Sequence, residues 1–188
     1  MTLQENKLYL YMAAIALMSW WLAELTGVIE INHEQAPAHS PDYFSEDYTK
    51  WEMNESGTLK KQLLAEEMIH YSDDGTTHMV KPVMFFLNEK TPPWIVKSET
   101  GILSADGKDL LLNGQVTIDR AKGKGVRQLT INTSELKVKP ETSFAETNEW
   151  AELISVPNRT TGTGMKLTFV EPIHLQLLQN VKGKYETK

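Results

Sequence analysis

The sequence predicts an all-β domain that follows a single N-terminal apolar helix. The first observation is an uncharged segment of sixteen residues, Leu8 to Ala23, near the start of the chain. The second is a change of period after it, because apolar and polar residues then alternate in short runs, as in half-buried β-strands. The third is that clusters of Gly, Pro and Asp separate these runs. Short, closely spaced strands of this kind indicate a β-sandwich, a barrel or a jelly roll.

Length and composition are those of an ordinary globular protein. The chain has 188 residues, of which 40% are hydrophobic and 23% charged, which excludes a largely disordered or collagen-like chain. Its 19 basic and 25 acidic residues leave a formal net charge of −6, which argues against nucleic acid as a partner. Cysteine is absent, so disulfide scaffolds and thiolate sites are excluded.

The apolar segment predicts a transmembrane anchor helix over residues 8–29. Sixteen helical residues reach about 24 Å, and continuing the helix to Ile29 spans the roughly 30 Å hydrocarbon core of a bilayer. Glu24 then lies near the outer end, where a carboxylate can reach the headgroups. Aromatic residues near both ends are typical of a spanning helix, namely Tyr9, Tyr11, Trp20 and Trp21.

A buried core helix and a cleaved signal peptide are the alternatives to an anchor. A core helix normally carries a polar stripe, which this segment lacks. A signal peptide needs a small-residue cleavage site soon after its apolar stretch, whereas Ala36-Pro37-Ala38 lies well downstream. An uncleaved anchor is therefore favoured.

The residues around the anchor predict its orientation and the domain boundaries. Lys7 precedes the segment and acidic residues follow it, which favours a cytoplasmic N-terminus over residues 1–7. Residues 30–42 are polar and contain prolines, as in an extended linker that leaves the membrane. The folded domain is expected over residues 43–188, outside the cytoplasm.

Alternation predicts individual strands within the folded domain. In residues 109–119 the apolar side chains share one parity and the polar ones the other, except at Leu111. Later runs repeat the pattern with Leu129, Ile131, Leu136, Val138, Met165, Leu167, Phe169, Ile173, Leu175 and Leu177. Residues 62–69 are good helix formers, yet their strand-rich surroundings favour a strand. Turns are predicted at residues 73–75, 92–93, 105–107, 123–125 and 162–164.

Catalytic and metal-binding patterns are largely absent from the sequence. The sequence contains no GxSxG elbow, phosphate-binding loop or HExxH pattern. In the linker, His33, Glu34 and His39 are interpreted as solvated residues rather than metal ligands. The adjacent acids Asp73 and Asp74 would point to opposite faces of a strand, not toward one reacting atom. The chain is therefore predicted not to be an enzyme and to use no cofactor or metal.

Two further features are open to more than one interpretation. The cations Arg120, Lys122, Lys124 and Arg127 lie within eight residues, and a solvated turn is favoured over a site for phosphates or an acidic partner. The inward-facing apolar side chains form an acyl-chain groove if the two faces of the domain stand apart, and an ordinary core if they close. Periodicity does not decide between groove and core.

The order of short motifs along the chain resembles that of a known family. These motifs are Tyr43-Phe44-Ser45-Glu46, Asn54-Glu55-Ser56-Gly57, His70-Tyr71-Ser72-Asp73, Pro82-Val83, Pro93-Trp94, Leu112-Asn113-Gly114-Gln115-Val116, Gly164-Met165-Lys166-Leu167 and Lys184-Tyr185-Glu186. Together they are similar to the LptC family of lipopolysaccharide-export proteins, over nearly the whole chain. The resemblance implies a single-pass inner-membrane protein of Gram-negative bacteria with a periplasmic domain that is an open, twisted β-jellyroll.

The resemblance also implies a function and partners. Such proteins receive lipopolysaccharide from the inner-membrane ABC transporter of LptB, LptF and LptG, and pass it to the periplasmic bridge protein LptA. The jellyroll groove shields the acyl chains, and the C-terminal strands contact LptA. The transporter supplies the energy, so the resemblance implies no active site in this chain.

Individual roles follow from the resemblance. The groove is expected to be lined by Tyr48, Met79, Leu112, Leu175 and Tyr185. Partner binding is expected at Gly57, Leu175, Leu177 and Tyr185, with Gly57 near the transporter. Two positions depart from the family, because Met79 and Asn113 stand where other members can carry aromatic residues.

A second class of function stays open beside the lipid conduit. The chain could be a single-pass periplasmic adaptor that binds envelope proteins through a closed β domain. That reading predicts no lipid in the interior of the domain.

Overall fold

The structure is a computed structural model that describes residues 5–25 and 39–185. The chain divides into two compact units, residues 1–36 and residues 37–188. Among the described residues, the first unit contains one helix and the second contains ten strands.

Helix α1 is Glu5–Leu25, so it includes most of the predicted anchor. Its aromatic side chains Tyr9, Tyr11, Trp20 and Trp21 are exposed. Within the described parts of the chain, no helix combines the length and the apolarity that a membrane crossing requires. Residues 26–29 of the predicted span, and His33 and Glu34 of the predicted linker, lie outside the described residues.

The second unit is a mostly antiparallel β domain, which confirms the predicted all-β class. Its strands are β1 (Pro41–Met53), β2 (Leu59–Tyr71), β3 (Thr77–Val80), β4 (Val83–Phe86), β5 (Trp94–Leu103), β6 (Leu110–Arg120), β7 (Leu129–Lys139), β8 (Phe144–Ser155), β9 (Asn158–Thr168) and β10 (His174–Lys184). Strand β2 includes residues 62–69, so the strand prediction there is correct. Strand β1 begins at Pro41, two residues before the predicted start of the domain.

All ten strands belong to one sheet. Its order is β1-β2-β3-β5-β6-β7-β8-β9-β10, and β4 lies beside β3, between β2 and β5. Strands β1 and β10 are the two ends of this order and do not pair with each other in the described structure. The sheet therefore has two free edges and is not a closed barrel.

A row of irregularities crosses the middle of the sheet. Positive φ angles occur within strands at Gly114, Glu135, Gly164 and Asn180. The ladders also shift register between Ser98 and Thr100 of β5 and between Thr147 and Trp150 of β8. Bulges of this kind bend a strand. Each long strand from β5 to β10 therefore bends near its middle.

The bends fold the sheet into two layers. We name the strand halves on the Trp94 side of the bends the first layer and those on the Leu103 side the second layer. Phe86 of β4 stacks on Phe169, which follows β9, with ring centroids 4.1 Å apart. Four strands separate β4 from β9 in the sheet order. This contact is therefore made across the interior, between the inner faces of the two layers.

The core lies between these inner faces. Its fully buried members come from both layers and include Val96, Leu110, Leu112, Val116, Ile118, Ile131, Leu136, Val138, Met165 and Leu167. The two apolar runs predicted around residues 129–138 are one strand, β7, in which Glu135 lies at a φ of 47°. The extra residue at this bulge explains why the buried positions change from odd to even numbers.

Four of the five predicted turns are confirmed, and one is wrong. Residues 73–75, 92–93, 105–107 and 123–125 connect strands, whereas residues 162–164 lie inside β9. A Cβ on Gly162 would lie 3.1 Å from the Leu177 Cβ, so this glycine allows β10 to approach closely. The chain turns instead at Val156-Pro157, between β8 and β9.

Candidate functional site

The predicted groove-lining residues lie at different depths in the β domain. Met79 and Leu112 are buried, with 2% and 1% of their surface exposed, and both flank Gly101 in the sheet. Tyr48 and Leu175 are partly buried and pack against the core. Tyr185 is 70% exposed just after β10. The fold thus brings Met79 and Leu112 together in the interior and places the other three at the two edge strands.

The environment of each tyrosine reflects its depth. Burial, with a smaller contribution from Tyr43, raises the pKa of Tyr48 above its ordinary value. The Tyr185 hydroxyl lies 3.4 Å from the Thr160 hydroxyl on the neighbouring strand β9. Tyr185 therefore stays near the sheet although it is exposed.

The predicted partner-binding residues also lie at the two edges. Gly57 is exposed in the turn between β1 and β2 at a φ of 78°, a conformation that favours glycine. On β10, Leu175 pairs with Leu167 and Leu177 pairs with Met165, so both leucines extend the inner face to the edge. The predicted residues therefore form two groups, one at each end of the sheet order.

Both edge strands expose apolar side chains. On β1 these are Tyr43, Phe44, Trp51 and Met53, and near β10 they are Leu178, Val181 and Tyr185. An edge strand also presents unpaired backbone N–H and C=O groups. Each edge is thus suited to the addition of a strand from another protein.

A row of charged and aromatic side chains, which we name the inner rim, borders the interior of the first layer. It consists of Lys61, Phe86, Trp94 and Arg120, which are directly opposed on the neighbouring strands β2, β4, β5 and β6. Phe86 and Trp94 both contact the Phe169 ring of the second layer. The inner rim thus has a cation at each end and two aromatic rings between them.

The two cations of the inner rim differ in their contacts. Lys61 is only 4% exposed, and its Nζ donates a 2.6 Å hydrogen bond to Oε1 of Glu52 on β1. The Arg120 guanidinium stacks over Trp94, with its Cζ 4.3 Å from the ring centroid. Burial lowers the pKa of Arg120 below its ordinary value, but a guanidinium stays charged at neutral pH.

The four clustered cations of the sequence separate into two environments. Arg120 is half-buried in the inner rim, whereas Lys122, Lys124 and Arg127 are exposed in the loop between β6 and β7. None of the three loop cations forms an ion pair with another residue of the described domain. Sequence reasoning missed Lys61, although its parity with Leu63 and Ala65 places it on the buried face.

A cleft of about 270 Å³ lies beside Lys61 and extends between the two layers. Leu63 and Met84 form its apolar wall on one side, and Leu103 does so on the other. Its polar lining consists of Lys50, Glu52, Lys61, Gln62, Asp106 and Glu141. The cleft therefore joins charged groups at the lip to apolar groups inside, as an amphiphilic ligand would require.

Asp73 and Asp74 lie in the predicted turn between β2 and β3 and not in a strand, so the alternation of faces along a strand does not separate their carboxylates. His39 Nδ1 lies 3.1 Å from an Asp73 carboxylate oxygen and 4.0 Å from one of Asp74. Hydrogen bonds from Thr76, which act more strongly than the nearby histidines, lower the pKa of Asp74. Within the described chain, these three exposed residues are the group whose ligand atoms lie close enough together to hold a metal ion.

Comparison with known proteins identifies similar chains. The family model described as "Lipopolysaccharide-assembly, LptC-related" matches residues 8–186. The lipopolysaccharide export system protein LptC of Escherichia coli K12 is 24% identical over 152 residues, which cover 79% of this chain and 76% of the relative. The proteins of the same name from Escherichia coli O157:H7 and Shigella flexneri have the same identity and coverage.

Proposed function

Because the chain belongs to the LptC-related family of lipopolysaccharide-assembly proteins, we propose that its β domain is a lipid conduit between the inner membrane and a periplasmic bridge. The chain functions in lipopolysaccharide transport by the Lpt export system. The observation that carries the conduit is an apolar interior between two layers of a sheet whose edges are free. The chain acts by binding and has no catalytic step in this proposal.

The physical need for a conduit comes from the acyl chains. Moving a lipid out of the bilayer exposes apolar surface at a cost of about 0.8 kcal/mol per CH₂ group. A carrier must therefore shield the chains while the sugars and phosphates stay in water. Met79 and Leu112, together with Tyr48, Leu175 and Tyr185 nearer the edges, are the proposed lining.

The interior must open before it can hold acyl chains. Met79 and Leu112 are packed in the core, and the cleft of about 270 Å³ beside Lys61 is slightly smaller than ligand pockets, which span roughly 300–1,000 Å³. No ladder of hydrogen bonds joins β1 to β10 in the described domain, so the layers can separate along these edges. We therefore propose that lipid enters by parting the two layers.

The partners are assigned to the two edges. The β1 edge and the turn at Gly57 would contact the transporter of LptB, LptF and LptG. The β10 edge, with Leu175, Leu177 and Tyr185, would add to the sheet of LptA. The exposed apolar side chains and free backbone groups of both edges support strand addition. Residues 8–29 would anchor the chain in the inner membrane, with the β domain in the periplasm.

Photo-crosslinking tests the conduit. A photoreactive residue replaces Met79 or Tyr185 in the full chain, in membranes that contain the transporter, ATP and lipopolysaccharide. We expect ATP-dependent crosslinks to lipopolysaccharide from both positions. Thr117 is the control, because it lies on the outer face of β6 between the buried Val116 and Ile118. Crosslinks from Thr117 alone, or from no position in an active transporter, would refute the conduit.

A closed adaptor domain is the second candidate function. The observation that favours it is the packing of the interior, where ten or more core side chains from both layers are fully buried. An adaptor would bind envelope proteins through its edges and never admit lipid. The same experiment separates the two, because only the conduit gives lipid crosslinks at Met79.

A further inference from the structure

We propose that the inner rim binds the phosphate groups of the lipid headgroup, with Lys61 and Arg120 as the two cations that contact them. This inference rests on the proposed lipid conduit and assigns the polar half of its ligand. The acyl chains would lie inside the fold, and the phosphates would stay at the lip.

The positions of the two cations suit a headgroup with more than one phosphate. Lys61 opposes Phe86, Phe86 opposes Trp94, and Trp94 opposes Arg120. Three strand spacings therefore separate the cations, which is about 14 Å. Directly opposed residues point to the same face, so both cations point toward the interior at its border. A headgroup that spans Phe86 and Trp94 could reach both.

Arg120 and its neighbour have hydrogen-bond donors without acceptors. Arg120 Nε and Trp94 Nε1 are both inaccessible to solvent and have no partner within the described domain. Trp94 is 2% exposed, so its N–H is an unpaired donor inside the protein. Buried donors nearly always have an acceptor, and their lack of one here needs an explanation. A phosphate oxygen is a strong acceptor that matches a guanidinium.

The hydrogen-bond acceptor of Lys61, the Glu52 carboxylate, can be displaced by a ligand. Its ammonium contacts Glu52 at 2.6 Å, while the Glu52 side chain is 44% exposed and the Lys61 side chain only 5%. Glu52 is also 4.0 Å from the exposed Lys60, so it keeps a cation nearby if it turns outward. A phosphate could then replace Glu52 as the partner of Lys61. Leu63 and Met84 continue the cleft inward for an acyl chain.

The surrounding charges favour the inner rim over the opposite lip. Lys122, Lys124 and Arg127 follow Arg120 in an exposed loop and raise the local positive charge. The lip of the second layer contributes Asp106 and Glu141 to the cleft. Asp106 is held in its turn by hydrogen bonds from the Ser104 hydroxyl and the Lys108 backbone N–H. The Asp106 carboxylate lies 3.8 Å from the Lys108 ammonium, so the preference for the inner rim comes mainly from the cations around Arg120.

The test compares two lipids on the full chain in detergent. One is lipopolysaccharide with its phosphates, and the other is the same lipid after enzymatic dephosphorylation. We expect the unmodified protein to bind the phosphorylated lipid about tenfold more tightly. The double variant Lys61→Gln, Arg120→Gln should lose this preference. The matched control is Lys166→Gln, an exposed cation on the outer face of β9, which should keep it. A preference that survives in a folded double variant would overturn the proposal.

Two further variants keep the test decisive if the double variant does not fold. Replacing Lys122, Lys124 and Arg127 by Gln changes only exposed side chains, and it should reduce the preference about threefold. Glu52→Gln removes the carboxylate that competes for Lys61, so binding of the phosphorylated lipid should tighten while binding of the dephosphorylated lipid stays unchanged. A Glu52→Gln variant that weakens binding of both lipids equally would show that the Lys61–Glu52 pair is only structural. An unchanged preference for the phosphorylated lipid in the loop variant would count equally against the proposal.

Two more measurements identify the source of the phosphate and distinguish a failure of the inner-rim proposal from a failure of the lipid conduit. Inorganic phosphate added in millimolar amounts should not displace the lipid; displacement would mean that a free anion is the ligand. The Met79 photo-crosslink should persist in the rim variants. Loss of phosphate preference with this crosslink intact supports the rim proposal, whereas absence of the crosslink in the unmodified protein is a failure of the conduit itself.

Discussion

At the scale of single residues, Phe169 joins the two layers where the inner rim lies. Its ring stacks on Phe86 and meets the edge of Trp94, with centroids 4.1 Å and 5.8 Å away. Only 2% of Phe169 is exposed. Aromatic pairs of this geometry contribute beyond the area that they bury. Phe169 is therefore the side chain on which closure of this lip depends most directly.

We predict that Phe169→Ala lowers the free energy of unfolding by about 3–5 kcal/mol, because it removes a buried ring and leaves a cavity between the layers. Urea unfolding at neutral pH measures the change. Phe169→Leu keeps most of the apolar volume and should cost much less. A loss below about 1 kcal/mol for Phe169→Ala would mean that the layers close without this contact.

The end of strand β6 explains why the four clustered cations lie in two different environments. From the sequence, Arg120 is one of four cations in a turn, yet its parity with Val116 and Ile118 continues the inner face of β6 to its last residue. The strand ends after Arg120, and the three other cations lie in the loop. The position of the strand end thus separates a half-buried arginine from solvated neighbours.

At the scale of elements, the bends in the strands create the two layers. Position 114, at the bend of β6, requires glycine because its φ is 75° and an added Cβ would lie 2.5 Å from the Glu99 carboxylate on β5. Its backbone N–H also donates to a Glu135 carboxylate oxygen at 2.9 Å, which ties together the bulges of β6 and β7. Neighbouring bends are therefore coupled.

We predict that Gly114→Ala destabilises the domain by more than about 1 kcal/mol, because a side chain is strained at this φ and also meets Glu99. Gly107→Ala is the matched control, since Gly107 has a similar φ of 70° but nothing within 4 Å of an added Cβ. Thermal unfolding measures the loss of stability in each variant, and the difference between the two losses gives the cost of the contact with Glu99. Equal losses would show that the Glu99 side chain simply moves away.

The edge strand β10 carries a second prediction at this scale. Replacing Leu175 and Leu177 by Asp places charge on the inner face at the edge, so the proposed binding of LptA should be lost. Gln176→Asp is the control, because Gln176 is exposed on the other face of the same strand, between Leu175 and Leu177. Pull-down with purified LptA measures binding, and circular dichroism confirms the fold. Unchanged binding in the folded double variant would remove β10 from the interface.

At the scale of the whole molecule, the β domain is one sheet that folds into two layers and has two free edges. The interior is packed, so a conduit requires the layers to move apart. Lys50 on β1 and Glu141 in the turn between β7 and β8 line the same cleft from opposite sides, and both are exposed. They offer a way to hold the lips together without changing the core.

We predict that a covalent link between positions 50 and 141, which holds the two layers together at this cleft, blocks lipid loading. The sequence has no cysteine, so Lys50→Cys with Glu141→Cys gives one defined pair for a short bis-maleimide linker. The linked protein should lose the Met79 crosslink to lipopolysaccharide, because the layers can no longer separate. Lys50→Cys treated with the same reagent is the control. Full loading in the linked protein would place lipid entry elsewhere.

Much of the β domain was predictable from the sequence because strand alternation and turn residues are local. Residues 110–120 alternate with period two and form β6, and Ala105-Asp106-Gly107 forms the turn before it. The ordered motifs identified the LptC family, which the family match over residues 8–186 confirms. The assignments to groove and partners remain predictions.

Only the tertiary structure decided which distant residues meet. Gly162 and Gly164 look like turn residues in sequence, but they lie in a strand because β10 packs closely against them. Lys61, Trp94 and Arg120 become neighbours through strand register, and Phe169 reaches them because the bends fold the sheet. Alternation sets the face of each side chain within its own strand, whereas register and bending depend on contacts between strands far apart in the chain. That is why the sequence alone determined the all-β class, several of the strands and the family, whereas the fold decided the inner rim.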